Sequence, residues 1–134
     1  MAIFEKHFTL EEARRELPWL RRQFSRIREL LGQLQQAQME MARIQKLIRS
    51  NGHGSGHPQF GAQIGEIQKI VSAITDKGIE IKDLQRGLID FPHWRGEEEV
   101  FLCWLAEEAD ITFWHTLEGG FAGRVPLTAE EEAT

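Results

Sequence analysis

GIEIKDLQRGLIDFP, residues 78–92, is where the hydrophobic period of the chain changes, and that change decides the fold. Ile79 and Ile81 alternate with Glu80 and Lys82, the spacing of a half-buried strand. Arg86-Gly87 reads as a turn, Leu88-Ile89-Asp90-Phe91 as a second strand, and Pro92 as its end. Arg95-Gly96 predicts another turn. Val100-Phe101-Leu102-Cys103-Trp104 then forms a third strand, apolar on both faces and so central. Glu107-Glu108-Ala109-Asp110 is a polar turn into a fourth strand, Ile111–His115. Connections this short join antiparallel neighbours, so the spacing predicts a meander of three to four strands over about 79–127.

Upstream the period is helical. Thr9-Leu10-Glu11-Glu12 has the form of a capping box. From there Leu10, Ala13, Leu17, Leu20, Phe24, Ile27, Leu31, Leu34, Met41 and Ile48 step by threes, fours and sevens, with Gln38 and Gln45 in the polar slots. Pro18 removes one backbone donor and is expected to kink this helix near Arg14–Leu17. Residues 50–58, with three glycines and a proline, read as a loop. A second helix follows on Phe60, Ile64, Ile67, Ile70, Val71 and Ile74, and Gly78 supplies its left-handed cap.

The fold class is therefore α+β: one domain over 1–134, a helical hairpin at about 9–77, the sheet, and an acidic tail, 128–134, expected to fray. At 1.5 Å per residue the first helix is roughly 60 Å long and the second roughly 28 Å. The second is expected to fold back over about Leu30–Arg49, leaving Leu10–Ile27 to the sheet or to a second copy.

Composition narrows the classes. The 134 residues hold a single cysteine, Cys103, which excludes an internal disulfide and fits a reducing, cytoplasmic setting. No apolar run approaches the ~18 residues of a membrane span, and Met1–Lys6 has no secretory pattern. Residues 1–50 carry ten Lys/Arg against six Asp/Glu, and residues 51–134 carry six against fifteen. Six arginines fall between Arg14 and Arg28 beside one acid, Glu16. A basic run can bind nucleic acid, but the overall balance of the chain is acidic. Pairing with the acidic C-terminal part is the expected use, and nucleic acid is not an expected partner.

Gly87-Leu88-Ile89-Asp90-Phe91-Pro92, Leu102-Cys103-Trp104, Trp114-His115, Gly120-Phe121-Ala122-Gly123-Arg124 and Pro126-Leu127 together resemble an uncharacterised bacterial family, domain-of-unknown-function family 2203. Phe8–Ala13 and Leu17-Pro18-Trp19-Leu20 are similar to its opening. The resemblance spans nearly the whole chain and implies no activity, substrate or cofactor. Where that family has a glycine shortly after the cysteine–tryptophan pair, this chain reads Leu105-Ala106-Glu107-Glu108.

Chemistry-bearing side chains gather in the last third. Asp90, His93, Cys103 and His115 come from neighbouring strands or their ends, with Glu107, Glu108, Asp110 and Glu118 in the flanking loops. Carboxylate, imidazole and thiolate together suit Zn²⁺ or Fe²⁺. Each has a plainer use: Asp90 beside Arg86 or Arg124, Cys103 as a small core residue, His115 as a satisfied buried histidine. His53 and His57 in the glycine-rich loop are a weaker pair. Gly119–Arg124 lacks the Gly-Lys-Ser/Thr ending of a phosphate loop. No serine has a nucleophile context, and the chain has no tyrosine. Whether it is an enzyme stays open. Two readings follow: an oligomerisation module, homodimeric through its helices, or a metal- or small-ligand-binding protein with its site on the sheet.

Overall fold

The computed structural model describes residues 2–51 and 61–133, with side chains left out for 48–51. The loop carrying His53 and His57, and Phe60 beyond it, lie outside the described residues. The order of elements is α1 (Leu10–Asn51), α2 (Gly61–Thr75), β1 (Glu80–Asp83), β2 (Leu88–Arg95), β3 (Glu98–Leu105), β4 (Phe113–Thr116), a 3₁₀ turn at Phe121–Gly123, β5 (Val125–Pro126) and α3 (Ala129–Ala133).

The capping box starts α1 as its chemistry requires. Thr9 Oγ1 accepts the Glu12 N–H at 3.0 Å, and Glu12 Oε1 accepts the Thr9 N–H at 2.9 Å. The helix then runs unbroken through Pro18, whose missing N–H frees only the Arg14 carbonyl. Leu10, Ala13, Leu17, Leu20, Phe24, Ile27 and Leu30 are all buried. Beyond Leu30 no described residue of α1 is.

That boundary corrects the expected hairpin. The second helix lies over the first half of α1, not over Leu30–Arg49: Lys77 bonds Glu16 at 2.7 Å and Arg26 clamps Glu66 at 2.5 and 2.8 Å. Burial is the reason. Ile67, Ile70 and Ile74 join one core with α1 and the sheet, whereas the far half of α1 offers apolar positions diluted by glutamines.

All five strands are antiparallel, in the order β1-β2-β3-β4-β5. One strand more than expected comes from Val125–Pro126, a two-residue edge too short to show a period. The β2–β3 hairpin turns on Gly96-Glu97 with Gly96 at φ 65°, the form in which glycine takes the first loop position. This places Asp90 opposite Cys103 and Pro92 opposite Phe101, and β4 adds His115 opposite Phe101. Gly87 is a second tight place. Its φ is +70°, and a Cβ there would stand 2.6 Å from Ala106 Cβ.

Strand parity divides the sheet into two faces. Ile89, Phe91, Val100, Leu102, Trp104 and Trp114 point to the helices and complete the main core. Leu88, Cys103 and Leu105 form a smaller buried cluster, on the outer face by the same parity. The turn after Leu105, where glycine is absent, is closed by Glu108: its side chain accepts the Leu105 N–H at 2.8 Å and its carbonyl the Trp104 indole N–H at 3.1 Å. Residues 129–133 are helical rather than frayed. Thr128 and Glu131 form another capping box, and Arg95 and Arg14 reach Glu131 and Glu132 at 2.9 and 3.1 Å.

Several arginines of α1 are engaged by the chain itself. Arg14 bonds the Ile111 carbonyl at 2.8 Å and pairs with Asp110 at 2.9 Å, and Arg21 bonds the Ala109 carbonyl.

Candidate metal centre on the outer face of the sheet

Among the described residues, Asp90 and His115 are the buried polar ones, each 1% exposed, and Cys103 beside them is equally buried. Register brings them together. Asp90 and Cys103 face each other across β2 and β3, and His115 sits diagonally, two pairs along on β4 and so on the same face. One ligating atom from each lies within 4.8 Å of the other two.

Hydrogen bonding fixes the imidazole. His115 Nδ1 lies 2.6 Å from the Thr116 carbonyl, which can only accept, so Nδ1 carries a proton and donates it. Nε2 is then the free ring position, 3.0 Å from Asp90 Oδ2, with one proton shared between them. Desolvation pulls the imidazolium down, but the hydrogen bonds to Asp90 and Thr116 and the Asp90 charge outweigh it, and the His115 pKa ends above its ordinary value. Burial, then the Asp90 charge, pushes the Cys103 thiol up to about 12. Asp90 Oδ1 is buried with no hydrogen-bond partner among the described residues.

A cavity of about 160 Å³ opens on all three side chains and is walled by Lys82, Leu117, Glu118 and Phe121 among others. A wider groove of about 750 Å³ lies at the start of α1, but Arg95 there is held by Glu131 at 2.9 Å, and among the described residues no group of three ligating atoms converges in it.

His93 does not join the trio. It is three residues from Asp90 along one strand, so it points to the opposite face, where Nδ1 donates to the Phe8 carbonyl at 2.7 Å. The flanking acids divide. Glu108 is held by Arg124 at 2.7 and 2.9 Å, Asp110 caps the Ile111 N–H at 2.8 Å, Glu107 is exposed, and Glu118 reaches the cavity wall. Arg124 is therefore committed to Glu108, and His115 takes the place beside Asp90 that an arginine was expected to fill. The Gly119–Arg124 stretch is a 3₁₀ turn, not a phosphate loop. Its Phe121 ring lies under Arg86 and Arg124, at 5.1 and 4.7 Å. Lys82 and Phe121 escaped the sequence reading as wall residues, since only the register and the turn bring them to Asp90.

A tetrahedral zinc with ordinary bond lengths sets its ligands roughly 3.3–3.6 Å apart, so the trio needs to draw in by about an ångström. The orphaned Oδ1, the oriented imidazole and the mixed donor set fit such an ion. Among the described residues, no helix is long and apolar enough to cross a membrane. No curated protein and no solved structure is significantly similar to the chain. Residues 6–127 match the family described as "Uncharacterized conserved protein (DUF2203)", and the chain belongs to that family.

Proposed function

We propose that the protein binds one Zn²⁺ per chain through Asp90, Cys103 and His115. The observation that carries this reading is the convergence of three different ligating atoms within 4.8 Å at a buried place. Three protein ligands leave one position of a tetrahedral ion free toward the cavity. Zinc suits one thiolate, one imidazole and one carboxylate better than Fe²⁺, whose open sites favour two histidines and a carboxylate. A reducing, cytoplasmic setting keeps Cys103 a free thiol, open to metal. Zinc added to the metal-free protein at about a hundredfold excess over Kd stabilises it by about 2.7 kcal/mol, a rise of about 10 °C in midpoint for a chain of this size. Cys103→Ala and His115→Ala show no such rise while retaining native helical dichroism. A rise of equal size in both variants overturns the reading.

A separate observation favours self-association. Ala37, Met41 and Ile44 keep a four-three spacing on α1 where no described residue is buried, and Met39 and Leu47 are 67% and 55% exposed. Such a seam is filled by a helix of matching period, and the chain carries one in every copy, so the partner is a second copy. Light scattering tests this: the wild type measures as a dimer and Met41→Lys/Ile44→Lys as a monomer. A monomeric wild type sinks it.

A further inference from the structure

We infer that Glu118 is a fourth protein ligand, brought to the metal by the glycine-rich loop 117–123, so that metal binding closes a lid over the site. The inference rests on the zinc reading above. Glu118 and the three proposed ligands wall the same cavity, and that cavity holds the vacant position of the ion. Two neighbouring carboxylates are already engaged: Glu108 is bonded by Arg124 and the Leu105 N–H, and Glu80 by Lys82 at 2.7 Å. Glu118 is exposed, and among the described residues it has no hydrogen bond or ion pair.

Backbone chemistry gives the loop its movement. Thr116 anchors its start, where the hydroxyl and the carbonyl both accept the Gly119 N–H, at 3.0 and 3.1 Å. Gly120 follows at φ 61°, a conformation open to glycine with little strain. The Cβ positions of Gly120 and Gly123 face open space, so nothing packs the loop down there. Phe121 is 38% exposed and its ring rests against two guanidinium faces, a contact that can slide as Glu118 turns inward. Zn²⁺ with Asp90 and Cys103 is neutral. The extra negative charge of Glu118 falls in the same wall as the Lys82 ammonium, which also pairs with Glu80.

Zinc affinity by chelator competition and amide exchange with and without Zn²⁺ test this on wild type and Glu118→Gln. The expected result is at least tenfold weaker zinc binding in E118Q. Zinc should slow exchange at residues 117–123 in the wild type and leave E118Q unchanged. Equal affinity, or equal protection of the loop in both proteins, overturns the fourth ligand and leaves the three-ligand site standing. A wild type that takes up no zinc overturns both. Glu118 is exposed, so its substitution leaves the fold intact.

Discussion

Zinc uptake by this site has to expel two protons at about pH 6, and the number follows from the geometry. The metal-free trio holds one proton between Asp90 and His115 Nε2, because Nδ1 is already committed as donor to the Thr116 carbonyl. It holds another on Cys103, whose thiol is pushed up to about 12 by burial and the Asp90 charge. A cation on those atoms displaces both. At pH 7 ionising that thiol costs about 7 kcal/mol, from five units at 1.36 kcal/mol each, so apparent affinity is strongly pH-dependent. Below His115's ordinary value near 6.5 the affinity rises about a hundredfold per pH unit. Above the raised pKa of His115 the slope falls to about tenfold, since only the thiol proton remains to be lost. Calorimetric titration of Zn²⁺ at about pH 6, in two buffers of different ionisation enthalpy, counts the protons directly. The wild type releases two and Cys103→Ala one. Release of none by the wild type refutes the reasoning, and release of one shows that either the thiol or the Asp90–His115 proton stays in place.

The metal-free protein itself loses stability as pH rises. His115 is raised when folded, so its contribution is complete below about 6.5 and fades as pH passes its folded pKa, and Cys103 repeats the effect from 9.0 upward. Thermal midpoints across that range show the decline in the wild type, and His115→Phe lacks its first step. Gly87→Ala forces a side chain into a left-handed φ and against Ala106, so denaturant midpoints drop by at least the roughly 1–2 kcal/mol of the backbone strain alone. Ile74→Ala, fully buried where α2 meets the main core, costs about 2–5 kcal/mol. By contrast, the Met41→Lys/Ile44→Lys pair, on the half of α1 where no described residue is buried, changes monomer stability by about 0.5 kcal/mol or less per substitution.

Much of this architecture is written locally. The Thr9–Glu12 box, the stripe from Leu10 to Ile27 and the period change at Gly78 each rest on neighbours a few residues apart, and each appears where its spacing places it. The placement of α2 was not legible, because it depends on where the whole chain buries most apolar area. The Thr128–Glu131 box was present but had no apolar run behind it, and packing by Arg95 and Arg14 made it a helix. At the site, the Gly96-Glu97 hairpin already sets Asp90 opposite Cys103, since positions paired across a two-residue loop sum to a constant. The same parity excludes His93, three residues from Asp90 and so on the other face. What spacing could not supply was His115, whose place depends on the longer connection from Leu105 to Phe113.

Elemental analysis of the purified, untagged protein by inductively coupled plasma mass spectrometry, beside Cys103→Ala prepared in the same way, tests the zinc site most directly. One zinc per chain in the wild type and a small fraction of that in the variant is the expected result. A folded wild type that carries no zinc, and takes none up when it is offered, contradicts the site outright.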